Sequence, residues 1–114
     1  MSNSFGNIDN IPSRDLPKKP GVYLLHDKKT GWIYVGGTKN IRSRISVHRS
    51  LLHRKKHTNN QLQKAYDKGE LFVYVLVVLP STETKTRIEE IEGYFIKAIP
   101  TLFAIDSINL RCND

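Results

Sequence analysis

The chain has 114 residues, which suffice for one compact domain and are too few for two. Hydrophobic residues make up 39%, no apolar run approaches the ~20 residues of a membrane span, and a single cysteine, Cys112, excludes an internal disulfide. The formal net charge of +7, together with a polar N-terminus that lacks the apolar stretch of a signal peptide, predicts a cytoplasmic protein with a polyanionic partner and no membrane association.

The N-terminal residues 1–19 are predicted to form an irregular arm, because Asn, Ser and Pro are frequent among them. One domain is expected to follow over residues 20–110, with a short tail over residues 111–114. The chain contains no internal repeat and no low-complexity segment that would suggest another arrangement.

Six elements are predicted within this domain from hydrophobic periodicity and capping residues. The first two strands form a hairpin, whose pairing Gly36 and Gly37 are expected to end. Asn40 is a suitable N-cap for the first helix, and Gly69 and Pro100 are the expected stops of the second and third helices. In chain order the elements are strands over 21–26 and 32–35, helices over about 41–55 and 59–67, a buried central strand over 71–80 and a helix over about 84–99. The order ββααβα predicts an α/β (α+β) domain with a small three-stranded, mostly antiparallel sheet flanked by helices.

The middle of the chain is strongly basic. Between Lys28 and Tyr66 there are ten lysines and arginines and no aspartate or glutamate. Such asymmetry is typical of a surface that binds nucleic acid, although a solvated basic face that aids solubility remains the alternative. The candidate nucleic-acid-binding residues are Lys39, Arg42, Arg49, Arg54, Lys55, Lys56 and His57.

Polar and charged side chains interrupt the apolar faces of two predicted helices. Arg44 and His48, four residues apart, project into the apolar arc of the first helix, and Glu92 lies at the border of the arc of the third. A charge near a core is costly unless it is paired or binds a metal. These residues therefore predict an internal Arg44–Glu92 salt bridge, or side chains that extend to the rim of the core, or a cleft where a cation, a histidine and a carboxylate converge. The arcs consist of Ile41, Ile45, Val47, Leu51 and Leu52, and of Ile88, Ile91, Phe95, Ala98 and Ile99.

The hairpin and the first helix together resemble the GIY-YIG nuclease superfamily. GVY at residues 21–23 and YVG at residues 34–36 are conservative forms of the two triplets that name the family. Asn40, Arg44 and His48 follow in the order that the family shows. Any one triplet would be a weak signal, whereas the ordered set is specific.

The resemblance extends over about residues 20–110. Glu92, in IEEIEGYFIKAI, corresponds to the metal-binding glutamate of the family, and Asn109 corresponds to an asparagine near the end of the domain. The spacing from His48 to His57 and the segment TNNQLQKAY are similar to phage intron-type homing endonucleases. The segment DLPKKPGVYLL is similar to the start of the nuclease domain in the excision-repair subunit UvrC.

The resemblance implies hydrolysis of DNA phosphodiester bonds with one divalent cation, Mg²⁺ or Mn²⁺. Glu92 would bind the metal, and Arg44 would hold the scissile phosphate where negative charge grows. Tyr23 would activate the attacking water as general base with help from His48, or His48 would be the base itself. Tyr34 would position the water or the phosphate. The implied catalytic residues are Tyr23, Tyr34, Arg44, His48, Glu92 and Asn109, with Gly21 and Gly36 as structural residues of the motif.

The expected substrate is double-stranded DNA, cut with low intrinsic sequence specificity, because the sequence shows no added DNA-binding domain. Specificity would then come from self-association, a protein partner or the N-terminal arm. The alternative function is a non-cleaving nucleic-acid-binding or nucleoprotein-interaction protein on the same fold. His48, His53 and His57 lack the helical spacing of zinc ligands, and no cysteine lies near them, so a structural zinc site is not expected.

Overall fold

A five-stranded sheet forms the centre of the computed structural model, which describes residues 5–103 and 110–112. The strands are β1 (Phe5–Asn7), β2 (Gly21–Asp27), β3 (Ile33–Thr38), β4 (Leu71–Val78) and β5 (Leu110–Cys112), in the order β1-β4-β2-β3-β5 across the sheet. The helices are α1 (Ile41–His53), α2 (Asn60–Asp67) and α3 (Lys85–Phe103), and a short 3₁₀ helix spans Ser13–Asp15.

The predicted α+β class is confirmed, and the strand count is corrected from three to five. The predicted strands are β2, β3 and β4, which pair antiparallel with one another. The additional strands lie at the two edges of the sheet: β1 pairs antiparallel with β4, and β5 pairs parallel with β3. Each has only three residues, which is too short to produce a recognisable alternation of apolar and polar side chains.

The hairpin of β2 and β3 is longer than predicted. Pairing continues through Gly36, opposite Tyr23, and Gly37, opposite Val22, so the expectation that these glycines end it is wrong. Glycine can adopt the extended conformation of a strand, although it lacks a side chain to pack there. Leu25 pairs with Tyr34 in the same register. The two tyrosines therefore lie on the same face of the sheet, since side chains alternate between faces.

Helix α1 begins where the sequence indicates, because the Asn40 side chain accepts a hydrogen bond from the Ser43 amide at the N-cap. Its buried face consists of Ile41, Ile45, His48 and Leu52. Val47, assigned to the apolar arc, is 44% exposed instead. The reason is its position on the helix: it points along the open side of α1, where Arg44 also lies.

Two hydrophobic clusters lie on opposite faces of the sheet. The first packs α1, α2 and the N-terminal segment against Tyr23, Leu25 and Val73. The second packs α3 against Val22 and Val35. Strand β4 is less buried than its continuous apolar sequence predicts, because α3 crosses β3 and β2 and leaves the β4 side of this face only half-covered.

Residues 5–19, expected to form an irregular arm, are part of the folded domain. Ile8, Ile11 and Leu16 are buried in the first cluster, and β1 extends the sheet beside β4. At the other end of the domain, α3 extends to Phe103, so the expectation that Pro100 ends this helix is wrong. Over residues 5–103 and 110–112, no helix has the length and apolar composition that crossing a bilayer requires.

Candidate active site

A cavity that we call the main cleft lies between the end of β3, the start of α1 and the start of α3. Its volume is about 540 Å³. Its walls are formed by Gly37, Thr38, Lys39, Asn40, Ser43, Arg44, Val47, Lys85, Ile88, Glu89 and Glu92. Arg44 and Glu92, which the sequence predicted to converge from two helices, thus line the same cleft.

Glu92 is held in a defined orientation despite its charge. The side chain is 5% exposed, and its Oε2 accepts a short hydrogen bond from the backbone amide of Gly37 on β3. An amide donor of this kind stabilises the ionised carboxylate. The sequence did not identify Gly37 as a site residue, because almost every residue has a backbone amide. The small side chain that the tight space requires is the only feature of the sequence that marks this position.

A metal in this cleft would have few protein ligands. Among the residues that the structure describes, no group of three or more His, Cys, Asp or Glu side chains is arranged to hold an ion. A single oriented carboxylate in an open cleft fits a hard cation such as Mg²⁺, which keeps several waters when it binds to protein. The carboxylate of Glu92 therefore fits the kind of metal that the resemblance implies.

Behind the main cleft, three aromatic side chains form a hydrogen-bonded chain. The Tyr23 hydroxyl oxygen lies 2.8 Å from His48 Nε2, and His48 Nδ1 lies 2.9 Å from His57 Nε2. Tyr34 contacts the same imidazole edge-on, with ring centroids 5.4 Å apart. Tyr23 is fully buried, whereas Tyr34, His48 and His57 line a second cavity of about 180 Å³ that shares Arg44 with the main cleft.

The environment of His48 keeps its imidazole neutral. Burial, together with smaller contributions from the nearby His57 and Arg44, lowers the pKa of His48 to about 3. Burial also lowers the pKa of His57 from its usual value. Two neutral imidazoles in contact can each donate one hydrogen bond and accept one.

Gly21 and Gly36, the two glycines of the motif, lie where neighbouring atoms leave no space for a side chain. A Cβ at Gly36 would lie 2.4 Å from the Tyr23 hydroxyl oxygen, and one at Gly21 would lie 2.2 Å from the carbonyl oxygen of Val77. Neither position can therefore carry a side chain without movement of its neighbour. Asn109, the remaining predicted catalytic residue, lies outside the described residues.

Two of the predicted nucleic-acid-binding residues have other partners. Arg42 donates from Nε to the Leu16 carbonyl oxygen at 2.8 Å. Arg49 donates to the carbonyl oxygens of Ile8 and Ile11, at 3.0 and 2.8 Å. Their guanidinium groups fasten α1 to the N-terminal segment, so we remove both from the candidate interface. The sequence could not reveal this, because the acceptors are backbone atoms of a distant segment.

The other basic residues proposed to bind nucleic acid differ in their surroundings. Lys39 lines the main cleft, joined by Lys85, which the sequence analysis did not select. Lys55 forms an exposed ion pair with Asp67, with Nζ and Oδ1 3.0 Å apart. Arg54 and Lys56 are exposed at the end of α1. The lysines that the structure places at the site are therefore Lys39 and Lys85 of the main cleft, a smaller basic set than the sequence suggested.

The sequence matches the family described as GIY-YIG catalytic domain over residues 19–101. Among curated proteins, it is 32% identical over 89 residues to UvrABC system protein C of Petrotoga mobilis, and 35% identical over 81 residues to that of Carboxydothermus hydrogenoformans. These alignments cover 78% and 68% of this chain but only 15% and 12% of those proteins. The chain therefore spans less than a sixth of the curated relatives it matches.

Solved structures support the same assignment. The catalytic domain of the intron endonuclease I-TevI, in a mutant form, shares 28% identity and a TM-score of 0.58, covering 69% of this chain and 81% of that one. A second structure of the catalytic domain of homing endonuclease I-TevI, 24% identical, has a TM-score of 0.62 over 80% and 99% of the two chains and supports the fold. The chain belongs to the GIY-YIG family, and its residues 19–101 correspond to the catalytic domain of that family.

Proposed function

We propose that this protein is a metal-dependent endonuclease that hydrolyses phosphodiester bonds in double-stranded DNA with low intrinsic sequence specificity. The observation that carries the proposal is the convergence of Arg44 and the oriented Glu92 carboxylate in the main cleft. A scissile phosphate in that cleft would find a cation on one side and a metal-binding carboxylate on the other.

Glu92 would bind the divalent cation through its carboxylate, with Mg²⁺ or Mn²⁺ as the proposed metal. When bound, the cation would stabilise negative charge on the phosphate. The protein contributes the orientation of the ligand, since the Gly37 amide holds one oxygen of the carboxylate. Because the described residues offer few metal ligands in this cleft, the affinity for metal is expected to be modest and water to complete the coordination.

Arg44 would donate hydrogen bonds to the phosphate oxygens, which become more negative as the transition state forms. Its position on α1 supports this role, since it lines both the main cleft and the second cavity. Lys39 and Lys85 on the walls of the main cleft add positive potential that would attract the DNA backbone.

The hairpin and α1 would supply the group that activates the attacking water. Tyr23 and His48, joined by a hydrogen bond of 2.8 Å, are the candidates for this general base. Tyr34, whose side chain reaches the second cavity, would position the water or the phosphate. Asn109 is proposed to support the site, as its place in the family motif implies.

Plasmid cleavage tests the proposal directly. We expect supercoiled DNA to be cut in Mg²⁺ or Mn²⁺ and to remain intact in EDTA. Glu92→Ala and Arg44→Ala should each reduce the rate at least a hundredfold, in line with losses seen when one transition-state contact is removed. Equal cleavage by all three proteins would overturn the site assignment. A folded wild type that binds DNA and never cuts it would instead support a non-cleaving DNA-binding protein.

Specificity is proposed to come from outside this cleft. The basic residues of the main cleft, Lys39, Arg44 and Lys85, are proposed to contact phosphates, and phosphate contacts carry no sequence information directly. A duplex of any sequence should therefore be bound with similar affinity unless self-association or a protein partner adds base contacts. Comparing cleavage of several unrelated duplexes, and of matched RNA, would determine how selective the protein is.

A further inference from the structure

A chain of hydrogen bonds connects a backbone amide at the start of α2 to the hydroxyl of Tyr23. The Asn59 amide donates to His57 Nδ1 at 3.0 Å. His57 Nε2 lies 2.9 Å from His48 Nδ1, and His48 Nε2 lies 2.8 Å from the Tyr23 hydroxyl oxygen. The chain therefore reaches from a helix terminus, through two imidazoles, to the first tyrosine of the family motif.

The direction of every hydrogen bond in this chain follows from its first member. A backbone N–H can only donate, so His57 Nδ1 must be unprotonated. The single N–H of a neutral His57 is then on Nε2 and points at His48 Nδ1, which must accept. The single N–H of a neutral His48 is consequently on Nε2 and points at the Tyr23 oxygen.

The ring geometry supports an in-plane hydrogen bond between the two histidines. Their planes are 15° apart, their centroids are 5.1 Å apart, and the facing nitrogens are 2.9 Å apart. Rings stacked face to face could not bring nitrogens this close, since stacked atoms stay about 3.5 Å apart or more. The two imidazoles therefore lie edge to edge, as an N–H···N bond requires.

Both histidines are neutral at working pH, which is the condition that this argument needs. Burial lowers the pKa of each, and that of His48 falls to about 3. His48 is 5% exposed, and each of its ring nitrogens lies within hydrogen-bonding distance of a protein partner.

We propose that His57 is a positioning residue, which holds His48 in the tautomer that donates its Nε2–H to Tyr23. Both His48 nitrogens are then occupied, one by its own proton and the other by the N–H of His57. His48 is therefore a hydrogen-bond donor rather than the general base, and this assignment rests on the proposed nuclease function. A donor aimed at the Tyr23 oxygen stabilises negative charge on that oxygen, which favours Tyr23 as the base.

Nitrogen-15 NMR on the folded, DNA-free protein measures the tautomer without depending on activity. Two-bond ¹⁵N–¹H correlations of the imidazoles should show His48 protonated on Nε2 and unprotonated on Nδ1, and His57 in the same form. In His57→Leu, the His48 signals should shift towards a mixture of tautomers. In His57→Gln, whose amide N–H can still donate to His48 Nδ1, the Nε2–H form should persist.

Activity provides the second readout. We expect His57→Leu to lower kcat by roughly tenfold with little change in KM, the effect of about 1.4 kcal/mol of transition-state stabilisation, and His57→Gln to recover most of it. A His48 protonated on Nδ1 in the wild type, or a tautomer unchanged in His57→Leu, would overturn the proposal. If His57→Leu does not fold, the wild-type spectrum alone decides. The expected tautomers together with an absence of cleavage would instead refute the nuclease function and leave the role of His57 in place.

Discussion

Gly36 and Tyr23 face each other across β2 and β3 so closely that the glycine accommodates the tyrosine ring. A Cβ at position 36 would lie 2.4 Å from the tyrosine hydroxyl oxygen and 2.5 Å from the ring carbon that bears it. The same hydroxyl is hydrogen-bonded to His48 at 2.8 Å. The last glycine of the family motif therefore determines where the first tyrosine can place its oxygen.

Replacing Gly36 by alanine should displace the Tyr23 ring and break its hydrogen bond with His48. The ring is fully buried, so it can move only by disturbing its neighbours. We expect a loss of about 1–3 kcal/mol in the free energy of unfolding, which is typical of overpacking, together with a large fall in kcat. Urea denaturation and plasmid cleavage would measure the two effects.

Gly93→Ala is the matched control for this substitution. Gly93 lies within α3, and a Cβ there would meet no atom within 4 Å. Alanine at this half-buried helical position, where its Cβ has free space, should stabilise the protein by about 0.5–1 kcal/mol and leave cleavage unchanged. Equal behaviour of the two alanine variants would show that the contact between Gly36 and Tyr23 is unimportant.

Gly37→Ala should weaken metal binding rather than chemistry. A Cβ at this position would lie 2.9 Å from Ile88 Cγ2 and 3.3 Å from Glu92 Oε2, the oxygen that the Gly37 amide holds. Disturbing a group that orients a metal ligand typically costs about 10–100-fold in affinity. The Mg²⁺ concentration for half-maximal cleavage should rise by about tenfold. A variant whose activity stays low at saturating Mg²⁺ would contradict this explanation.

The buried His48 should make the protein less stable in acid. Its pKa is about 3 when folded and 6.5 when exposed, so between these values the unfolded chain binds a proton that the folded chain does not. Stability is therefore fully present above about pH 6.5 and falls by about 1.4 kcal/mol for each pH unit below it. Urea denaturation at about pH 7.5 and about pH 5 would measure the slope.

A His48→Gln variant isolates the contribution of this residue. His26 and His57 also have lowered pKa values, so they add to the acid sensitivity of both proteins. The slopes of unfolding free energy against pH should still differ by about 1.4 kcal/mol per pH unit between the wild type and His48→Gln. Only the wild type has a histidine at this position that takes up a proton on unfolding. Identical slopes would mean that His48 is protonated in the folded protein.

Local patterns in the sequence were sufficient to locate the helices and central strands of this domain. Asn40 caps α1 as predicted, and the apolar periodicity of α1 and α3 identified Arg44, His48 and Glu92 as residues out of place on those helices. These features depend on neighbours within a few residues, which is the range over which sequence periodicity is informative.

Features that depend on distant backbone atoms could not be predicted in this way. The Gly37 amide that holds Glu92 is 55 residues away in sequence, and the acceptors of Arg49 are carbonyls about 40 residues away. A backbone carbonyl or amide is present in almost every residue, so no residue type marks it. The sequence therefore predicted one basic surface from the ten lysines and arginines between Lys28 and Tyr66. Two of them, Arg42 and Arg49, instead donate to backbone carbonyls of the N-terminal segment.

Alanine substitutions at Arg49 and Arg54 should therefore affect different properties, although both residues belong to the same basic stretch: the first should change stability and the second DNA binding. Arg49 donates hydrogen bonds to the backbone carbonyl oxygens of Ile8 and Ile11. Arg49→Ala should therefore lower the free energy of unfolding by about 1–3 kcal/mol and leave the salt dependence of DNA binding unchanged. Arg54 is exposed, so Arg54→Ala should change stability by less than about 0.5 kcal/mol. As a proposed phosphate contact, its loss should reduce the slope of log K against log salt by about 1. Urea denaturation and fluorescence anisotropy with a labelled duplex would measure the two properties, and a reduced salt slope in Arg49→Ala would return that residue to the DNA interface.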